Sequence, residues 1–148
     1  MYYKLPTTLY CEKDCISRHA SDISSYGQYA YIITGRHSAK TNGSLSDILN
    51  ALKAHNINYQ IYDRINENPS IENIMEAVSL SDKKCDFVIG IGGGSALDAS
   101  KAIAMLLANP DKDENCLYDN SKKLPHLPIV TIPTTCGTGS EITPYSIL

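Results

Sequence analysis

No run of apolar residues in the 148-residue sequence approaches the ~20 that a membrane-spanning helix requires. An excess of positive charge is missing too. The net charge of −3 gives neither the basic footprint of a nucleic-acid binder nor a cationic face for an anionic membrane. The opening stretch MYYKLPTTLYCEKD lacks a basic start followed by an apolar core, so no secretory signal is read and the cytoplasm is the expected compartment. Paired zinc-type ligands are also lacking. The five cysteines (Cys11, Cys15, Cys85, Cys116, Cys136) are odd in number, which predicts reduced thiols. Cys11 and Cys15 form C-x3-C, but no second Cys/His pair at zinc-site spacing completes a four-ligand set. The histidines at 19, 37, 55 and 126 are scattered, and neither H-x-x-x-H nor H-E-x-x-H occurs. No metal site is therefore expected within these residues. Internal repeats, low-complexity tracts and interdomain linkers are likewise not found.

What is present is enough chain for one domain, 1–148, with one sizeable core. Strand and helix patterns alternate, which predicts an α/β domain built on a largely parallel sheet. Residues 1–10 read as an N-terminal edge strand and residues 13–26 as a helix. Ala30 to Thr34 is a short apolar strand ended by Gly35. Leu45, Ile48, Leu49 and Leu52 fall at helical spacing, so a helix is expected over 44–55. A second strand runs over 58–62. Ser70 is a plausible N-cap for a helix carrying Ile71, Ile74, Met75 and Val78. Residues 87–91 are almost wholly apolar, as in a strand covered on both faces. An Ala-rich helix over 95–107, a polar loop over 108–127 and a last strand over 129–132 complete the pattern. The end, EITPYSIL, looks like the start of another extended segment; a domain seldom finishes on uncovered apolar residues, so a longer parent protein is expected.

Four stretches are candidates for chemistry. In FVIGIGGGSALDASK a buried strand runs into three glycines, Gly92 to Gly94, and Ser95. Consecutive glycines are entropically expensive and suit a backbone that must turn sharply or be approached closely. Glycine-turn N–H groups and the positive end of the following helix form an anion site, with phosphate or pyrophosphate as the natural occupant. The stretch is neither a Rossmann fingerprint, since Ser95 replaces the third glycine, nor a Walker A loop, since Lys101 lies inside the helix. Asp98 and Lys101 share a helix face at i, i+3, either as a surface salt bridge or as groups facing a ligand. PTTCGTGSE, residues 133–141, puts small hydroxyl residues and two glycines at another strand end. TGRHSAK, residues 34–40, follows the first central strand. If an adenine ribose lies there, the usual NAD-selecting carboxylate is missing: Gly35 stands in its place, with Arg36, Ser38 and Lys40 nearby, and a 2′-phosphate would be welcomed.

GGGSALDASKAIA followed by PTTCGTGSE resembles the iron-containing (group III) alcohol dehydrogenases, relatives of glycerol dehydrogenase and dehydroquinate synthase. The likeness runs from the edge strand through IITG and NPSIENI to EITPYSIL, and covers only the family's N-terminal, nucleotide-binding domain. It implies a Rossmann-like parallel sheet flanked by helices. It also implies a second, helical domain, absent from this sequence, that holds Fe²⁺ or Zn²⁺ through an Asp and three His. No catalytic or metal-ligating residue is then expected in this chain. By resemblance, Gly92, Gly93, Gly94 and Ser95 hold the cofactor pyrophosphate and Asp98 lies close to the cofactor. Thr134, Thr135 and Thr138 line its site, Asn68 contacts it, and Thr143 and Tyr145 lie beside the nicotinamide. Gly35 and Ser38, at the adenosine end, favour NADP over NAD. The implied activity is hydride transfer between NAD(P) and a primary alcohol or aldehyde, with this domain inactive alone and a homodimer forming through the N-terminal edge. A stand-alone nucleotide-binding module and a dehydroquinate synthase-like lyase are the alternatives.

Overall fold

The computed structural model describes residues 7–82, 84–119, 121, 123–143 and 146. Its centre is a four-stranded parallel sheet. The strands are β1 (Tyr29–Gly35), β2 (Asn58–Ile65), β3 (Phe87–Gly92) and β4 (Ile129–Pro133), in the spatial order β2-β1-β3-β4. All six residues of β3 are buried, which is why FVIGIG reads as a continuous apolar run and not as an alternation. Alternate side chains nevertheless go to different layers. Ala30, Ile32, Phe87, Ile89 and Ile91 join one core cluster, while Tyr31, Ile33 and Val88 join the other.

Helix α4 (Ser44–Ala54) buries Leu45, Ile48 and Leu52 in the first of these clusters. Helices α5 (Ile71–Leu80) and α6 (Gly94–Ala108) cover the opposite face through Ile74, Ala77, Ala99, Ala102 and Ile103. Truncating a side chain as enclosed as Ile103 to Ala is expected to destabilise by about 2–5 kcal/mol. Ser70 caps α5 by accepting a hydrogen bond from the Asn73 N–H at 3.3 Å. The small residues of α6 let it lie close to the sheet: a Cβ on Gly90 would stand 2.4 Å from Ser100 Oγ, so only glycine fits that strand position. Beyond α6, Asn109 donates to the carbonyls of Met105 and Pro125, both at 2.8 Å, and ties the helix end to the returning chain. The buried Tyr31 hydroxyl donates to Ala77 O at 2.7 Å, which satisfies the one polar atom that β1 sends into the α5 layer; burial raises its pKa strongly.

Three details differ from the sequence pattern. The helix expected over 13–26 is two short ones, α1 (Cys15–Arg18) and α2 (Ala20–Ser24), broken at His19 (φ −109°, ψ 22°). The His19 ring bonds Glu12 at 2.7 Å and Asp22 at 3.2 Å and stacks on Tyr10 at 3.6 Å, and these contacts hold the break. A short helix, α3 (Ser38–Thr41), forms within TGRHSAK, and a 3₁₀ turn (Glu114–Leu117) forms within the expected loop. Residues 7–10 carry no strand; the rest of the expected N-terminal edge strand, residues 1–6, lies outside the described residues. None of the described helices is long and apolar enough to cross a membrane.

Candidate functional site at the carboxyl edge of the sheet

The strand order makes a crevice. The chain leaves β1 toward β2 with α4 on one face, and leaves β3 toward β4 with α6 on the other. The two connections diverge between β1 and β3, the position at which open α/β sheets bind ligands. Because all four strands are parallel, the segments 35–41, 66–70, 92–95 and 134–141 emerge on this one edge.

The glycine turn is tied to two of the other segments. Gly92 has φ +147°, a backbone state that residues with side chains seldom adopt. Gly93 is the N-cap of α6, and no side chain caps it. The first N–H groups of this 15-residue helix therefore lack a capping partner, and its positive dipole end points at the edge. A Cβ on Gly93 would meet Thr135 Oγ1 at 3.3 Å, and one on Gly94 would meet Ser140 Oγ and Thr138 Cγ2 at 3.3 Å. The missing side chains thus admit the 134–141 loop as well as any ligand. The Thr134 N–H donates to Gly92 O at 2.8 Å, locking the two loops together. Gly137 (φ +90°) and Gly139 (φ +68°) supply the left-handed turns of that loop and leave Thr135 and Thr138 exposed beside the glycines. On the other side, the Ser95 hydroxyl donates to Glu67 O, next to the exposed Asn68. That turn is held in shape by Asn73, whose Oδ1 accepts from the Asn66 N–H at 3.0 Å and whose Nδ2 donates to Tyr62 Oη at 2.8 Å. Burial and the Glu76 carboxylate push the Tyr62 phenol up to about 12, so it stays a neutral partner in this network.

Asp98 and Lys101 are not a surface salt bridge. Their side chains are 8% and 11% exposed and lie 3.0 Å apart, one turn into α6 from the glycines. The Ser146 hydroxyl donates to Asp98 O at 2.7 Å. Gly35 and Ser38 stand across the crevice at the end of β1 and the start of α3, and share no hydrogen bond with the glycine turn among the described residues. Thr143 is exposed at the far end of the 134–141 loop; Tyr145 lies outside the described residues. Two residues that sequence patterns did not single out complete the edge, Glu67 and Asn73; each acts through a hydrogen bond to a residue distant in sequence, for which the sequence carries no local signal.

Two buried side-chain polar atoms lack a hydrogen-bond partner among the described residues, Thr34 Oγ1 and Glu141 Oε2. Both belong to this edge, at the end of β1 and in the loop after β4. Orphan buried groups each cost about 1–3 kcal/mol and concentrate where a structure serves something besides its own stability. Two shallow depressions, of about 510 and 490 Å³, lie elsewhere, between α4 and the start of β2 and beside the 3₁₀ turn. Neither depression combines an uncapped helix N-terminus, positive-φ glycines and orphan polar atoms, as the carboxyl edge does. Among the described residues, no group of three or more His, Cys, Asp or Glu comes together to hold a metal ion.

A family model for iron-containing alcohol dehydrogenases matches residues 6–148. The chain belongs to the iron-containing alcohol dehydrogenase family. A crystal structure of an iron-containing alcohol dehydrogenase from Thermotoga maritima is 43% identical with a TM-score of 0.94, over 99% of this chain and 41% of that one. NADH-dependent butanol dehydrogenase A from Clostridium acetobutylicum is 31% identical over 99% of this chain and 38% of its own length. Sulfoacetaldehyde reductase from Bifidobacterium kashiwanohense, solved in complex with NAD⁺, is 26% identical with a TM-score of 0.73, over 96% of this chain and 38% of that one. The chain therefore spans about two-fifths of the length of these iron-containing dehydrogenases and their relatives.

Proposed function

We propose that this chain is the dinucleotide-binding part of a metal-dependent alcohol dehydrogenase or aldehyde reductase. The observation that carries the proposal is the uncapped N-terminus of α6 at Gly93, set at the β1/β3 crevice. The backbone of Gly92, Gly93 and Gly94 with Ser95 holds the pyrophosphate, where orphan N–H groups and the helix dipole favour negative charge. Thr134, Thr135 and Thr138 offer hydroxyls along the same wall, and Asn68 closes the opposite side. Asp98, paired with Lys101 one turn into α6, lies close to the cofactor. Gly35, Ser38 and Arg36 receive the adenosine end, and the absence of a carboxylate at position 35 favours NADP(H). Thr143 and Tyr145 belong to the nicotinamide end. When bound, the nicotinamide supplies hydride transfer with a primary alcohol or aldehyde, and Fe²⁺ or Zn²⁺ supplies Lewis-acid polarisation of the oxygen. This chain's residues bind and orient the dinucleotide; the metal ligands and the residues that touch substrate belong to a helical domain beyond these residues. A cytoplasmic homodimer is the proposed setting.

The test is calorimetric titration of the 148-residue chain with NADPH and with NADH. One site per chain is expected, with Kd below about 1 mM and NADPH the tighter ligand. Butyraldehyde with Fe²⁺ should give no turnover. Absence of binding by both dinucleotides would remove the proposal, and metal-dependent turnover would refute the assignment of catalysis elsewhere.

A further inference from the structure

β1 and β2 do not run in perfect register. Ile33 faces Tyr62, but Gly35 faces Ile65, so two residues of β2, Asp63 and Arg64, stand opposite the single residue Thr34. An extra residue of this kind re-aims the side chains beside it. Tyr62 and Ile65 are in the core cluster under α5 and α6, whereas Ala39 of α3 is in the cluster on the opposite face. Asp63 reaches α3: its Oδ2 lies 2.5 Å from Lys40 Nζ. The Lys40 ammonium holds the Asp63 carboxyl below its ordinary range, so the pair is charged at neutral pH. Arg64 is turned the other way, onto Glu76 at 3.0 Å. Lys40 therefore comes to the adenosine end of the crevice already neutralised. Arg36, for which no ion pair exists among the described residues, does not.

We propose that Asp63 is a specificity-determining positioning residue, which restrains the preference for a 2′-phosphorylated dinucleotide by holding and neutralising Lys40. The proposal rests on the dinucleotide reading of the site. Its logic is electrostatic. A 2′-phosphate is a dianion, and a carboxylate within a Debye length of about 8–10 Å opposes it, while a released ammonium attracts it. The unphosphorylated ribose of NAD(H) has no such charge and is indifferent to the pair. The same bond also fixes α3 against β2 and so the position of Ser38.

Equilibrium titration of the chain and three variants with NADPH and NADH tests this. Asp63→Asn should tighten NADPH binding about three- to ten-fold and leave NADH within about two-fold. The gain should shrink between 50 mM and 500 mM NaCl, at roughly the rate expected of exposed charges. Lys40→Gln should weaken NADPH and spare NADH, and the double variant should return to within about two-fold of the parent. Both side chains are half-exposed, so the variants keep the fold. An unchanged NADPH-to-NADH ratio in Asp63→Asn overturns the proposal, as does a double variant that binds NADPH as tightly as Asp63→Asn alone. If the parent chain binds neither dinucleotide, the dinucleotide reading fails first, and this inference falls with it.

Discussion

Replacing Gly92 by Ala should destabilise the chain by about 2–6 kcal/mol, through two separable effects. The first is conformational. Gly92 has φ +147°, and a residue with a Cβ held in such a region is strained by about 1–3 kcal/mol. The second is a contact. The new Cβ would lie 2.8 Å from Ala96 Cβ, nearly 1 Å inside the usual ~3.5–4.0 Å separation of carbon atoms, and overpacking of this kind costs about 1–3 kcal/mol. Ala96→Gly separates the two. Alone it should cost about 1 kcal/mol, the helix penalty of glycine. Combined with Gly92→Ala it removes the clash and leaves the strain, so the double variant should be more stable than the sum of the singles by about 1–3 kcal/mol. Urea unfolding of the four proteins gives that coupling directly. Additivity within about 0.5 kcal/mol would refute the contact, and a Gly92→Ala cost below that figure would refute the strained turn as well.

Gly93→Val should abolish NADPH binding while changing stability by no more than about 1–2 kcal/mol, because Gly93 has an ordinary φ of −78° and its tight neighbour is the movable Thr135 side chain. Retained affinity in calorimetry would make the glycine turn a mere connection. Gly35→Asp should shift the NADPH-to-NADH affinity ratio toward NADH, since a Cβ there meets nothing closer than Ile65 O at 3.5 Å and the new carboxylate would oppose a 2′-phosphate. An unchanged ratio would displace the adenosine end from β1. The His19 imidazolium, hydrogen-bonded first to Glu12 and also to Asp22, has its pKa raised above 6.5. Its clamp on residues 10–12 is thus complete below the ordinary histidine value and is lost as pH rises through the folded one. Proton NMR titration should show His19 with a midpoint above 6.5, moved back down by Glu12→Gln; a midpoint at or below 6.5 would deny the clamp.

Periodicity carried the sheet and the three long helices because each rests on a repeating apolar pattern: FVIGIG buried throughout, Leu45, Ile48 and Leu52 on one helix face, Ser70 at a cap. The glycine turn was legible for the same reason, as punctuation between two strong patterns. What escaped were contacts between residues distant in sequence. The His19 break depends on Glu12 and Tyr10, and the Ser95–Glu67 bond joins positions 28 apart. The Lys40–Asp63 pair spans 23 and depends on a register shift that no single strand encodes. The sequence puts Lys40 near the expected 2′-phosphate position but does not show its partner; the structure pairs it with Asp63. The Asp98–Lys101 pair was visible by spacing, but its burial follows from how α6 packs.

The most direct test of the central claim is to titrate ¹⁵N-labelled chain with NADPH and follow the backbone amides. The largest shifts should fall on Gly93, Gly94, Ser95 and Ala96, with a second set in 134–140 and a third in 35–38. The amides beside the depressions at Asn56 to Tyr59 and Asp111 to Asn115 should stay still. Shifts centred on either depression, or none at all with millimolar dinucleotide, would contradict a cofactor site at the carboxyl edge of the sheet.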